Sequence, residues 1–413
     1  MTRVCSLFLL ACAVLAGGCG GKVTVNAGQV DSGVPEASPG DDAGADATDG
    51  GACQSAAGTW LPMSSVGATW GDSLYPAIWT GSELDFFVFG VGVTDNGGRY
   101  HLATDSWTTM SAPSWFDIYH TASTYPNAWS GSEWLIWGAD YETGGRFNPA
   151  TSEWTRMTDV GAPSKRSHTA GAWVGDRFLV WGGAGETSDA GPRNDGALYD
   201  PVTDSWTPTT MVGAPSPRYD AMVVSIGNRA IILGGNSGGS SGDMFPIGAL
   251  YDPASDAWQP MNMDGTQLSD SNRFVWTGEE LILWASKCEP TYESCDPGVG
   301  FGYAYNPTLD QWRKISSVGA PSDRDFPSVV WTGSKMIVWG GGMVTSPLDP
   351  LGDGGMYDPK QDSWTPIPTM PCAPRPRYSH IAVWTGSSMI VWGGSAPNSL
   401  DVYLDGGIFV PAQ

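Results

Sequence analysis

RDFPSVVWTGSKMIVWGG (residues 324–341) and GGMYDPKQDSWTP (residues 354–366) decide how this chain folds. Residues 325–331 are an apolar run of strand length that closes on Trp331, and Thr332-Gly333-Ser334 makes a turn. Met336 to Trp339 is a second run, built of residues that suit a pleated surface. Gly340 and Gly341 end it, as glycine does where a backbone needs positive φ or a close approach. Gly355-Met356-Tyr357 reads as a third strand. Asp358 to Asp362 is a turn in which Pro359 presets φ and Asp358 bonds back to the chain. Ser363-Trp364-Thr365 is then an outer fourth strand. Four short antiparallel strands of this kind make one twisted blade.

The frame returns along the chain. First-strand tryptophans are Trp79, Trp129, Trp173, Trp276, Trp331 and Trp384, with Ser225 in the fourth copy. Third-strand aromatics are Tyr100, Phe147, Tyr199, Tyr251, Tyr305, Tyr357 and Phe409. In the first six copies a tryptophan follows that aromatic by seven residues: Trp107, Trp154, Trp206, Trp258, Trp312 and Trp364. A period of roughly 44–55 residues is that of a four-stranded propeller blade. The last copy stops at Gln413 before any outer strand, whereas Thr59-Trp60-Leu61-Pro62 is an outer strand without predecessors. Pairing the two ends removes an exposed edge and closes the ring. The expected fold is all-β, a seven-bladed propeller over 54–413 closed by its N-terminal strand.

The order arginine, apolar strand, glycine pair, Tyr-Asp-Pro and tryptophan resembles the Kelch repeat over about residues 54–413. Copies one, two and five depart from it, with Gly90-Val91, Gly138-Ala139 and Ala285-Ser286 at the glycine pair. The resemblance implies a β-propeller. It implies no single activity, because Kelch propellers serve both as binding platforms and as enzymes.

The first residues read as an export signal. Thr2 and Arg3 precede an apolar core of 13 residues, Val4 to Ala16, too short to span a bilayer, which takes about 20. Leu15-Ala16-Gly17-Gly18-Cys19 resembles a bacterial lipobox, so residues 1–19 are expected to end in lipidation at Cys19. A lipid anchor there would hold the chain on the cell envelope. Residues 20–53 are rich in Gly, Ala and Asp and cannot offset their ordering entropy, which describes an acidic tether. With 43 acidic against 20 basic residues and a net charge of −23, nucleic acid and anionic lipid are poor partners. The expected membrane contact is the anchor alone, and the expected state a monomer.

Cys53, Cys288, Cys295 and Cys372 remain beyond the signal, an even number that reads as disulfides in an exported chain. Cys288 and Cys295 enclose a short polar loop and are expected to pair; Cys53 with Cys372 follows by elimination. No CxxC spacing marks a metal site, and no cofactor motif is present. Glu186 to Asp189 reads as solvated turn acids before it reads as a calcium loop.

Seven residues before the first-strand tryptophan position stand Arg166, Arg218, Arg324 and Arg377. They would enter near the central axis. One reading has them bonding to neighbouring backbone as part of the repeat; the other makes them an anion- or glycan-binding mouth, since arginine forks match carboxylates. Trp70 and Trp115 lie in connections between blades, where an exposed ring could stack on a sugar. Most other tryptophans read as packing between blades. The four histidines, His101, His120, His168 and His380, assemble no metal set, and GxSxG, HExxH and Walker signatures are missing. The sequence therefore assigns no catalytic residue. It points to a binding or scaffolding module for protein or glycan at a bacterial envelope. The rival is a glycan-acting enzyme, a sialate-type epimerase or hydrolase, using an axial arginine-lined pocket.

Overall fold

The computed structural model describes residues 53–69, 73–89, 96–113, 115, 126–139, 143–185, 191–237, 248–263, 273–285, 298, 300–343, 349–395 and 403–412. Among the described residues seven antiparallel sheets of four or five strands follow one another along the chain, with two short two-stranded pairs, Arg166–Ser167 with Ala184–Gly185 and Gly342–Met343 with Asp349–Pro350, beside them. Blades 1 to 6 occupy 73–111, 127–156, 170–208, 222–260, 273–314 and 328–367, each with four strands paired in chain order. Blade 7 takes three strands from 381–411 and its fourth, Gly58–Pro62, from the other end of the chain. Trp60 lies opposite Phe409, the register in which Tyr199 lies opposite Trp206 and Tyr357 opposite Trp364. The ring is thus closed as the unfinished last repeat requires.

Two details depart from the repeat as read. The inner strand of blade 6 begins at Ser328 rather than Asp325, because Phe326 adopts φ 54° and Pro327 offers no N–H to the ladder. Blade 7 gains a fifth strand, Cys53–Ser55, which folds back on the closing strand.

Every interface between neighbouring blades holds one apolar cluster. Between blades 3 and 4 it is Val174, Leu179, Trp181 and Leu198 against Ala230, Ile232, Tyr251 and Trp258. Between blades 7 and 1, Trp392 and Ile390 meet Phe86, Tyr100 and Trp107. Second-strand tryptophans Trp137, Trp181, Trp284, Trp339 and Trp392 are buried in these clusters. Trp134, which fits the repeat poorly in sequence, opens the second strand of blade 2 and stacks on Phe87 of blade 1 at 5.1 Å.

At the outer rim a polar clasp joins successive blades. Between blades 3 and 4, Thr210 follows the outer strand of blade 3. Its N–H donates to Asp256 Oδ1 at 2.9 Å, and its carbonyl accepts from Trp258 Nε1 at 2.8 Å. The Tyr251 hydroxyl donates to the same carboxylate oxygen at 2.8 Å. Burial, then that carboxylate, pushes the tyrosine pKa well above its ordinary range. Asp256 sits at φ 47°, a left-handed conformation that aspartate tolerates in turns. A turn at Val212-Gly213, with φ 80° at the glycine, lays its backbone on Trp258.

The same four parts return as Ser64, Asp105, Trp107 and Tyr100 between blades 7 and 1. They return as Thr158, Asp204, Trp206 and Tyr199 between blades 2 and 3. Asn262, Asp310, Trp312 and Tyr305 join blades 4 and 5. Ser316, Asp362, Trp364 and Tyr357 join blades 5 and 6. Between blades 1 and 2 the described residues keep the Trp154 bond to the Ser111 carbonyl, at 3.2 Å. There Ser152 stands in the aspartate position and Phe147 in the tyrosine position.

Candidate functional site

The inner strands ring the axis, and the segments leading into them carry the four repeat arginines. The structure places all four inside the protein. Arg218, Arg324 and Arg377 are fully buried and Arg166 nearly so. Each guanidinium folds back on its own blade. Arg218 Nε donates to the Ser216 carbonyl at 2.9 Å, Nη1 to the Gly234 carbonyl at 2.7 Å and Nη2 to Ser216 Oγ at 3.0 Å. Arg324 repeats this on Ser322 and Gly340, and its Nη1 also reaches the Asp353 carbonyl. Arg377 bonds the carbonyls of Arg375, Gly393 and Asp405 and the Asp405 carboxylate. Arg166 holds Ser164, Gly182 and both carboxylate oxygens of Asp195.

Burial lowers the pKa of Arg218 to about 10 and lowers those of Arg324 and Arg377. Burial tends to raise Asp405, but Arg377 and Arg375 outweigh it and hold the carboxyl below its usual range. The hydrogen bonds are those of the first sequence reading: the arginines fasten backbone.

This geometry also explains the glycine pair. Gly182 and Gly183, with φ of 71° and 95°, present the first glycine's carbonyl to Arg166; Gly234, Gly340 and Gly393 do so for the other three. The second glycine binds the next blade. Gly183 N–H donates to the Arg218 carbonyl, and Gly341 N–H to the Arg377 carbonyl, both at 2.9 Å. Blades 1, 2 and 5, with Asp72, Ala122 and Ser269 in the arginine position, are the same blades that lack the full pair. That shared absence is a signal in the sequence that arginine and glycines form one device.

What the arginines leave accessible is the layer above them. His168, two residues after Arg166, and Asp220, two after Arg218, both have positive φ, and they meet across blades 3 and 4 through His168 Nδ1 and Asp220 Oδ1 at 2.9 Å. The bond to Asp220, partly offset by burial, raises the histidine pKa. Tyr219 meets the His168 ring edge-on at 5.9 Å. On blade 7 the exposed Arg375 lies 4.3 Å over the Tyr403 ring and bonds Asp405 Oδ2, with the exposed Leu404 alongside. His380 is instead internal: Nε2 bonds Ser328 Oγ at 2.8 Å, and burial drives its pKa down to about 3. These groups present hydrogen-bonding edges, aromatic faces and both signs of charge, the chemistry of a recognition surface.

Trp115 stands exposed on the connection between blades 1 and 2. Cys53 and Cys372 are bonded to each other. Cys19, Trp70, His120, Cys288, Cys295 and the 186–189 loop lie outside the described residues.

Residues 99–282, from the third strand of blade 1 to the second strand of blade 5, match the family model described as the KLHDC2/KLHL20/DRC7 Kelch-repeats domain. The described residues form seven blades of one repeat, a β-propeller whose matched part is similar to the Kelch-repeats domain, a fold that commonly serves as a protein-binding module.

Proposed function

We propose that this Kelch-repeat propeller is an exported binding or scaffolding module that displays one face to a protein or glycan ligand at a cell envelope. The observation that carries the reading is the asymmetry of the two faces. First-to-second strands in every blade, and third-to-fourth strands in blades 1 to 6, are joined by two to four residues. Second-to-third strands and successive blades are joined by up to 15 residues, and these connections leave from the strand ends opposite those tight turns. Long irregular connections on a rigid frame are where recognition residues concentrate. The buried arginines support this reading from beneath: they stiffen the roots of the connections and leave contact to side chains such as Arg375, Tyr403, Asp220 and Trp115. Cys19, at the lipobox-like segment, would supply the anchor, and the acidic stretch after it the spacer.

A glycan array and an array of envelope proteins probed with the soluble domain test the binding reading. A hit should weaken at least tenfold with Arg375→Ala plus Tyr403→Ala. It should be unchanged by Lys335→Ala in a tight turn of the other face. A hit that maps to the tight-turn face, or two blank arrays, overturns the reading. Cys19→Ser should move the chain from the membrane to the soluble fraction of producing cells; retention on the membrane removes the anchor.

A further inference from the structure

We propose that Cys53–Cys372 is a redox-sensitive lock at the seam of the ring, standing where the interface between blades 6 and 7 has no polar clasp. Every part of the clasp is missing there. By position, Pro368 should supply the N–H that Thr210 supplies between blades 3 and 4, and proline has none. Gly58 holds the place of Asp256, and a Cβ there would run into the Val410 carbonyl, so no carboxylate can be put back. Phe409 holds the place of Tyr251. Trp60 is fully buried, yet its Nε1 finds no hydrogen-bond partner among the described residues.

The disulfide sits on the same structural parts. Cys53 pairs with Trp60 across the terminal hairpin. Cys372 occupies the turn after the outer strand of blade 6, where Ala373 N–H bonds the Met370 carbonyl, as Ala214 N–H bonds the Met211 carbonyl after blade 3. Cys372 is therefore the counterpart of Gly213, the residue that rests on the next blade's tryptophan. A covalent bond thus replaces the clasp at its own location. It joins residues 319 apart in sequence, so it ties the first strand of the propeller to its sixth blade.

Both cysteines are partly exposed rather than buried. A dithiol reductant would add one sulfur to the bond, forming a mixed disulfide and expelling the other cysteine as thiolate, which takes up a proton. The reductant's second sulfur then attacks its first, closing the oxidised dithiol and expelling the remaining cysteine as thiolate, which is protonated in turn. The products are two protein thiols and one oxidised dithiol. What remains on the closing strand is its ladder to Gly406–Pro411 and the burial of Trp60, without clasp or bond.

Native-state amide hydrogen exchange on the full chain, oxidised and then reduced by dithiothreitol without denaturant, tests this. Exchange in 58–62 and 406–411 should rise at least tenfold on reduction and return on reoxidation. The outer strands of blades 3 and 4, 205–208 and 257–260, should change less than twofold. Cys53→Ser plus Cys372→Ser should show the reduced pattern without reductant, and Cys288→Ser plus Cys295→Ser should not. No change at the closing strand, or an equal rise in all blades, overturns the proposal.

Discussion

The interface between blades 3 and 4 and the one between blades 6 and 7 are alike near the axis and unlike at the rim. Near the axis both have a buried arginine on each blade, and both have a glycine N–H on the neighbouring arginine's carbonyl at 2.9 Å. At the rim, blades 3 and 4 have the Thr210–Asp256–Trp258–Tyr251 clasp, whereas blades 6 and 7 have a disulfide. The difference follows from connectivity. The clasp aspartate lies in the hairpin between third and fourth strands, two residues before the tryptophan. Blade 7 is the one blade whose fourth strand is not reached through that hairpin, since the strand comes from the other end of the chain. Closing the ring by its terminus gives up the turn that carries the clasp.

The largest effect expected from this contrast is loss of the closing strand. Removing 53–62 deletes the buried Trp60 and exposes the edge of Gly406–Pro411, and the domain should fail to fold cooperatively. Trp60→Ala alone should cost about 3–5 kcal/mol in chemical denaturation. If the shortened chain melts like the full one, the seam contributes nothing to the ring. Next in size is the axial device. Arg218→Ala or Arg377→Ala leaves several buried carbonyls unpaired and should cost about 3 kcal/mol or more at either interface, while ligand affinity per folded molecule stays constant. Loss of affinity with stability intact would return the arginines to the role of a binding mouth. Reducing Cys53–Cys372 should cost about 2–4 kcal/mol.

Acid should act on the two interfaces with opposite sign. Between blades 6 and 7, His380 is held neutral by burial and by the nearby charges of Arg377 and Arg273, with its pKa pushed down to about 3. The unfolded chain takes up that proton below its ordinary value of about 6.5, whereas the folded one does so only near 3. Stability is therefore lost as pH falls below about 6.5, by about 2 kcal/mol at pH 5. Between blades 3 and 4 the equivalent position is Ala221, and the histidine present, His168, has its pKa raised by Asp220. Its contribution is complete below its unfolded value and fades as pH rises through the raised one. Exchange protection measured at pH 7 and pH 5 should thus fall for 381–384 and not for 222–225. Equal losses in both strands would refute the assignment.

The ring, its seven blades and its closure were readable because tryptophan, aromatic and glycine recur at constant spacing. The role of the arginines was harder to read, since a guanidinium near an axis serves a ligand and a backbone equally well in one dimension. The clasp went unread although its parts were all visible. Tyr100, Tyr199, Tyr251, Tyr305 and Tyr357 each precede an aspartate by five residues, whereas Phe147 has Ser152 at that spacing and Phe409 faces a closing strand with Gly58 in the aspartate position. A hydroxyl that appears only where a carboxylate waits is a contact written in sequence. The partner across the blade, Thr210 or its equivalents, carried no such mark because it acts through backbone. Cys53 and Cys372 were joined by elimination, although Ala373-Pro374 repeats the Ala-Pro that follows Gly161, Gly213 and Gly319 and so marks Cys372 as standing in place of a glycine.

The smallest effect is the most specific. Tyr251→Phe removes one hydroxyl from Asp256 and leaves the Thr210 N–H and the packing on Trp258 in place. It should cost about 1 kcal/mol, the usual net value of one hydrogen bond. The reverse change at the seam, Phe409→Tyr, should gain nothing. Phe409 is fully buried against Trp60 at 5.1 Å, and Gly58 offers the new hydroxyl no carboxylate. An unpaired buried hydroxyl should instead cost about 1–3 kcal/mol. Both variants are read by urea denaturation of the oxidised domain. Stabilisation by Phe409→Tyr would mean that the seam holds an acceptor for the hydroxyl, and that blade 7 carries the clasp in another form. A neutral Tyr251→Phe would show that the tyrosines are kept for packing alone, and the distinction between clasped and locked interfaces would then rest on the aspartate and tryptophan bonds only.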